Sequence, residues 1–133
     1  MVRTLSADHI VQCHTRALID HGGGQAGIRD MGLVEAAIGR MNSGWGDDEF
    51  YPTLFDKAAA LLDSIIHNHP FIDGNKRTAL FAASTLLELN DWELSFSPTE
   101  AVHFALGVAN KQIEMPEIVE WLRAHSRQYA PEL

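Results

Sequence analysis

The chain is poor in cysteine and in basic residues, and it has no long apolar run; each shortage excludes a class of protein. A lone cysteine, Cys13, cannot form an internal disulfide, which fits a reducing cytosol. Only 10 lysines and arginines accompany 18 acidic residues, and the formal net charge of −8 leaves no basic footprint for a general nucleic-acid binder. No apolar stretch is long enough to cross a membrane, and the N-terminus lacks the apolar core of a secretion signal. We therefore predict a cytoplasmic protein with no nucleic-acid or membrane partner.

What the chain does have is the composition of an ordinary globular protein. Apolar residues make up 46% of it and charged residues 21%, which excludes a disordered chain. Its 133 residues suit one domain, residues 1–133, that buries about two thirds of its unfolded surface. Cys13 shares a helical face with Ile10, Ala17 and Leu18, which favours a buried, inert thiol over a reactive one.

The spacing of apolar residues is helical almost throughout and predicts an all-α fold, a compact bundle of about six helices. The predicted helices cover residues 6–20, 30–41, 53–67, 74–89, 97–110 and 116 onward. The third and fourth are apolar on nearly every side, so we expect them to form the core. A short extended stretch is predicted at residues 92–96, and the tail after Ser126 is expected to be loosely held.

Residues 43–51 interrupt the helical pattern just before the third helix. They contain two glycines, three acidic residues and the aromatic residues Trp45, Phe50 and Tyr51. Two interpretations stay open. The segment is either a short hairpin or mobile flap, or a solvated connector whose aromatic side chains are tucked inward.

Residues 69–77, with the sequence His-Pro-Phe-Ile-Asp-Gly-Asn-Lys-Arg, connect the two central helices. The start of a helix favours an anion, because its free N–H groups and its dipole both attract negative charge. Lys76 and Arg77 lie in this first turn, where positive charge opposes the dipole unless an anion is bound. The alternative is a solvated basic turn that Asp73 partly neutralises. Arg77 offers a bidentate fork for phosphate, and Lys76 offers a mobile point charge.

His69 and Phe71 open this connection. His69 precedes a proline, so the third helix should end near Asn68 and leave the imidazole in a non-helical position. Histidine is the usual general base near neutral pH, and its neighbours here favour that role over a core or capping histidine. Phe71 is interpreted as an apolar anchor that fastens the connection to the core.

Asp73, Gly74 and Asn75 each have two interpretations. Asp73 is either the N-cap of the fourth helix or a Mg²⁺ ligand, since magnesium beside phosphates needs only one or two protein carboxylates. Gly74 permits close approach of the backbone to a phosphate. Asn75 either donates its amide to a phosphate oxygen or supports the loop by local hydrogen bonds.

The other histidines show no metal-binding pattern. His67 and His69 are two residues apart and do not face each other on a helix. The rest lack zinc-like spacing and are predicted to be structural or surface residues. They are His9, His14, His21, His103 and His125.

Residues 69–77 resemble the motif of the Fic/Doc family, His-x-Phe-x-Asp/Glu-Gly-Asn-Gly-Arg-x-x-Arg, and in particular that of its death-on-curing (Doc) toxins. The matching residues are His69, Phe71, Asp73, Gly74, Asn75 and Arg77. The resemblance extends to residues 21–33 and 51–70, and it covers most of the chain.

The resemblance implies an all-helical enzyme that transfers part of a nucleotide triphosphate to a protein hydroxyl. By position, it implies that His69 is the base that activates the hydroxyl and that Asp73 binds Mg²⁺. The anion hole would be formed by Gly74, Asn75, Lys76 and Arg77. Residues 43–51 would be the flap that aligns a target segment by strand addition.

Two positions depart from the Fic pattern: Lys76 replaces its second glycine and Leu80 its second arginine. Members that transfer AMP use both features to seat the distal phosphates. The arrangement in this chain resembles that of Doc, in which ATP binds inverted and its γ-phosphate is transferred. The resemblance thus implies a toxin kinase that modifies elongation factor Tu and blocks translation.

The resemblance also implies an antitoxin whose segment folds on the toxin. We recognise no Ser/Thr-x-x-x-Glu-Gly/Asn inhibitory motif in the chain, which favours inhibition in trans. The alternatives to the kinase are an AMP transferase and a catalytically inactive module that binds a nucleotide or a partner.

Overall fold

A computed structural model describes residues 2–20 and 23–129, and within them six α-helices carry most of the chain. The helices are α1 (Ala7–Asp20), α2 (Met31–Met41), α3 (Leu54–Asn68), α4 (Asn75–Leu89), α5 (Pro98–Ala109) and α6 (Met115–Ala124). Two antiparallel ribbons are added, one of β1 (Gly44–Trp45) with β2 (Asp48–Glu49) and one of β3 (Trp92–Leu94) with β4 (Ser126–Gln128). The predicted all-α bundle of about six helices is confirmed. The predicted roles of His21 and Gly22 lie outside the described residues.

The two central helices form the core, as their all-round apolar character predicts. Both α3 and α4 carry several fully buried alanines beside larger residues, which lets the helices approach closely. Each buried leucine of this core stabilises the fold by about 1.5–3 kcal/mol. No helix among the described residues is both long enough and apolar enough to span a bilayer.

Helix α4 begins differently from α3 and α5. Thr53 and Ser97 start α3 and α5 with capping boxes, in which each hydroxyl accepts from the backbone N–H three residues later. The N-cap of α4 is Gly74, which has no side chain to accept such a bond. The start of α4 is therefore the one of these three that protein side chains do not cap.

The C-terminal segment corrects one sequence prediction. Residues after Ser126 were expected to be loosely held, but Ser126–Gln128 pair with Trp92–Leu94, and the Tyr129 N–H donates to the Asp91 carbonyl at 2.9 Å. The prediction was wrong for residues 127–129 because this pairing joins segments more than 30 residues apart. Ser-Arg-Gln shows no strand pattern of its own. The remaining tail, residues 130–133, lies outside the described residues.

Residues 43–51 form a hairpin, which decides between the two interpretations of this segment. Its two strands lie close together, because a Cβ at Gly44 would overlap the Asp48 carbonyl oxygen. Trp45 is 81% exposed and Phe50 62%, so these two aromatics are not tucked inward. Only Tyr51 is half-buried.

Candidate active site

The connection from α3 to α4 begins at His69, which ends α3 as predicted. His69 adopts a left-handed conformation with φ of +51°, and the residue is exposed. Arg29 fixes this end of α3 by donating from Nε to the His69 carbonyl and from Nη2 to the Asn68 carbonyl, both at 2.6 Å. A cation at a helix C-terminus also complements the helix dipole. Sequence reasoning assigned Arg29 no role at the site.

The loop before α2 supports the connection through backbone bonds. The Arg29 and Asp30 N–H groups donate to the Pro70 carbonyl at 2.8 and 3.0 Å, and the Ile72 N–H donates to the Gly27 carbonyl at 3.1 Å. Asp30 in turn caps α2 by accepting from the Gly32 N–H at 2.9 Å. The connection is thereby held on a second segment of backbone as well as between its two helices.

Phe71, which the sequence analysis interprets as an apolar anchor, is buried and stacks on His14. Phe71 is 1% exposed, and the two rings lie 4.0 Å apart with an interplanar angle of 6°. His14 Nε2 lies 2.8 Å from the Asp73 carbonyl oxygen. Because a carbonyl only accepts, Nε2 must carry the proton. His14 is structural, as predicted, but what it holds in place is this connection.

Asn75 takes the loop-supporting alternative. Its side chain is buried, accepts from the Phe71 N–H at 3.0 Å and donates to the Phe71 carbonyl at 2.9 Å. Both polar atoms of the amide are thus engaged within the loop. A contribution of Asn75 to anion binding would come from its backbone N–H in the first turn of α4.

Asp73 is not the N-cap of α4, which corrects one of its two interpretations. Gly74 adopts a left-handed conformation with φ of +76° and is the N-cap. The Asp73 carboxylate instead faces the loop before α2. There it accepts from the Gln25 N–H at 3.1 Å and from the Gly74 N–H at 2.8 Å. These two bonds, followed by electrostatic attraction to Arg77 and His14, lower the pKa of Asp73.

The lowered pKa keeps Asp73 ionised over the whole neutral range. The stabilisation from its two bonds is complete above the ordinary carboxyl pKa of the unfolded chain, and it is lost only as the pH falls through the lower folded value. The carboxylate is exposed and remains accessible to a cation.

The first turn of α4 lies beside an open cavity of about 370 Å³. Residues 73–77 line one part of it. Apolar side chains line the rest: Leu80, Ala101, Val102, Ala105 and Leu106. Lys76 is exposed, and the first-turn N–H groups have no carbonyl partners within the helix. The cavity therefore combines an anion-binding end with an apolar wall, as a small anionic organic ligand requires.

Asp73 fits a magnesium ion of the kind that is shared with phosphates. Among residues 2–20 and 23–129, no cluster of three or more His, Cys, Asp or Glu side chains could enclose a metal. Magnesium held partly by phosphates needs only one or two carboxylates. Gly24 leaves open the space beside this carboxylate, because a Cβ there would lie 2.8 Å from Asp73 Oδ2.

We expect Gly24→Ala to disturb Asp73 and to destabilise the fold by about 1–3 kcal/mol. The φ of Gly24 is +135°, and the added methyl group would also lie 3.1 Å from Arg77 Nη2. The bond between the Gln25 N–H and Asp73 should therefore weaken. Thermal unfolding and hydrogen exchange of the Gln25 amide measure both effects.

Gly23→Ala is the matched control for this substitution. Gly23 also has a positive φ, +78°, but a Cβ there meets nothing within 4 Å. The variant Gly23→Ala should lower the thermal stability through backbone strain, but hydrogen exchange of the Gln25 amide should not become faster. Equal exchange in the two variants would contradict the crowding of Asp73.

The remaining predictions concern residues away from the cavity. Cys13 is buried as predicted, and its Sγ lies 3.6 Å from Thr85 Oγ1. Burial raises the pKa of the thiol, which suppresses the reactive thiolate.

His67 pairs with Asp63 at 3.3 Å on α3. His125 bonds Glu100 at 2.8 Å and stacks on Trp121. These contacts support structural roles for both histidines.

A helical bundle whose central helix starts beside a histidine, an exposed aspartate and two cations defines the Fic/Doc class of fold and site. Residues 4–87 match the model of the Fic/DOC family, so the chain belongs to this family. It is 41% identical to Toxin Doc of Mycolicibacterium smegmatis over 98 residues, which are 72% of this chain and 75% of that protein. It is 33% identical to Protein kinase doc of Escherichia phage P1 over 122 residues, which are 92% of this chain and 94% of that protein.

Proposed function

We propose that this protein is a toxin-type protein kinase that transfers the γ-phosphate of ATP to a hydroxyl of a translation protein. The observation that carries the proposal is the uncapped start of α4, with Lys76 and Arg77 in its first turn and an apolar wall beside it. The likeness to proteins named Toxin Doc and Protein kinase doc supports it. By resemblance, the target is elongation factor Tu and the consequence is a block of translation.

The chain's residues have distinct parts in the proposed reaction. The first turn of α4 holds the phosphates through its N–H groups, while Lys76 and Arg77 balance their charge. His69 accepts the proton of the target hydroxyl while the hydroxyl oxygen forms a bond to the γ-phosphorus. At the same time the bond between the γ-phosphorus and the bridging oxygen breaks, and ADP leaves. Asp73 would hold Mg²⁺, which neutralises charge on the phosphates when bound.

The apolar wall favours the γ-phosphate over the α-phosphate as the group that faces His69. Leu80 occupies the position where the Fic pattern has a second arginine, and it lines the cavity together with α5 side chains. A nucleoside suits this wall, whereas a run of phosphates does not. With the nucleoside there, we expect the phosphates to extend along residues 73–77, with the terminal one farthest from the wall. His69 is not among the described residues that line the cavity.

We propose two further properties from the same relatives. The protein is inhibited by a separate antitoxin protein, a segment of which folds on it. Toxin and target meet in the cytoplasm. An antitoxin-like gene immediately upstream of the gene for this chain would support the proposed toxin–antitoxin pair.

Labelled ATP distinguishes phosphate transfer from AMP transfer. We expect label from γ-labelled ATP to appear on a protein of a bacterial lysate when the purified chain and Mg²⁺ are added. Label from α-labelled ATP should not appear, because the α-phosphate stays in ADP. Transfer only from the α-position would overturn the kinase and favour the AMP transferase, for which the matching His69, Gly74 and Arg77 are the supporting residues.

A further inference from the structure

The hairpin of residues 43–51 is attached to the helices by polar contacts and by Tyr51, which packs against the core. Its two most exposed aromatic side chains, Trp45 and Phe50, project into solvent and do not anchor it. Within the hairpin, the Phe50 N–H donates to the Ser43 carbonyl at 3.0 Å. An isolated two-stranded hairpin is at best marginally stable in water. Its position must therefore be set by contacts with α2 and α3.

The first such contact is made by a buried lysine. The Lys57 side chain, on α3, is only 4% exposed, and its Nζ donates to Glu49 Oε1 of β2 at 2.8 Å. The same Nζ donates to the carbonyl of Met41, at the end of α2, at 3.3 Å. Burying an ammonium group is costly unless it is paired and hydrogen-bonded. The bond to Met41 does not involve the hairpin, but the ion pair with Glu49 forms only when the hairpin is in this position.

The second contact is made by Arg40 at the other side of the hairpin. Arg40 Nε donates to the Tyr51 hydroxyl at 3.0 Å, and the guanidinium carbon lies 5.4 Å from the centre of the Tyr51 ring. Its Nη1 donates to Asp63 at 2.7 Å and to Ser64 at 3.1 Å, both on α3. The hairpin is thus attached on one side through Glu49 and on the other through Tyr51.

We infer that Lys57 is a positioning residue, which fixes the hairpin on α3 so that the edge bearing Trp45 and Phe50 is preset for the protein substrate. The inference rests on the proposed function for the identity of that substrate. Lys57 does not line the cavity beside α4 and touches no reacting group. A buried ion pair is a weak source of stability compared with apolar residues of similar volume, but it specifies one arrangement of its partners. Presetting the docking segment removes the entropy cost of ordering it on binding.

The test for anchoring is independent of any activity. Lys57→Met keeps the volume and removes the charge, and we expect the Phe50 amide to exchange its hydrogen at least about tenfold faster, since its bond to Ser43 opens with the freed hairpin. A variant with Trp92→Phe and Trp121→Phe leaves Trp45 as its single tryptophan. In that background, Lys57→Met should add a fast component to the fluorescence anisotropy decay.

The second part of the experiment measures docking. In phosphate transfer from ATP, Lys57→Met should raise KM for the protein substrate roughly tenfold, while kcat and KM for ATP stay near those of the unsubstituted protein. A residue needed only for global stability would instead lower the active fraction and leave both KM values alone. The single variant Glu49→Gln, which keeps an oxygen acceptor for Lys57 Nζ, should keep most of the protection of the Phe50 amide.

Glu93→Gln is the matched control, because Glu93 pairs with Arg127 at 3.3 Å across the other two-stranded ribbon. It should change neither Phe50 exchange nor KM. Unchanged Phe50 exchange and unchanged KM in Lys57→Met would overturn the inference. Faster Phe50 exchange in a protein that transfers no phosphate would support the anchoring while refuting the proposed function. If Lys57→Met does not fold, Glu49→Ala removes the same ion pair from its half-exposed side and carries the same expectations.

Discussion

Replacing His69 by asparagine is expected to lower the rate of phosphate transfer about 10²–10⁴-fold, the usual contribution of a general base. His69 is exposed at the end of α3, so little packing is lost. Asparagine is the suitable replacement because it tolerates the left-handed φ of +51°, which alanine adopts only with strain. It cannot accept the hydroxyl proton. The melting temperature should therefore change little while transfer nearly stops.

The measurement is single-turnover transfer of label from γ-labelled ATP, with ATP binding followed separately. His67→Asn is the matched control, since His67 lies two residues earlier, pairs with Asp63 and should leave the rate unchanged. Binding of ATP should persist in His69→Asn. Growth arrest by expressed His69→Asn at the level of the unchanged protein would refute an enzymatic mechanism and favour the catalytically inactive binding module.

The helices were predictable from sequence because their signals are local. The capping pair Ser97 and Glu100 and the proline after His69 mark helix ends within a few residues of where the structure has them. The pairing of Ser126–Gln128 with Trp92–Leu94 was not predictable. It depends on α6 returning the chain to the end of α4, which no short window of sequence specifies.

The candidate site could be proposed from sequence where its residues lie within residues 69–77, and the distant residues that support these could not be predicted. Of the two interpretations of Asp73, the N-cap was wrong, because the left-handed turn at Gly74 moves the helix start by one residue. Arg29 and His14 act through backbone carbonyls of the connection, and a carbonyl leaves no trace in the sequence. The one available signal was a polar histidine, His14, on an otherwise apolar helical face, which indicates a buried partner.

The loop-supporting role of the Asn75 side chain is best tested by the stability of the fold. We expect Asn75→Ala to destabilise the protein by about 3 kcal/mol, because the Phe71 N–H and carbonyl lose their partner in a buried place and each unpaired group costs roughly 1–3 kcal/mol. The melting temperature should fall by about 10 °C. Transfer activity should fall with it, since Phe71 and its stacking on His14 hold the connection that carries His69.

Asn90→Ala is the matched control for this loss, at the opposite end of the same helix. The Asn90 amide makes a similar clamp on Arg3, accepting from the Arg3 N–H at 2.7 Å and donating to the Arg3 carbonyl at 2.8 Å, but in an exposed place. It also donates to the Leu86 carbonyl at 2.8 Å. Water can replace its bonds to Arg3, so it should cost less stability and leave ATP binding intact. If Asn75→Ala kept its melting temperature while KM for ATP rose, its side chain would be a phosphate ligand after all. The buried bonds to Phe71 predict the opposite order: the loop fails first, and phosphate binding fails because the start of α4 is no longer held in place.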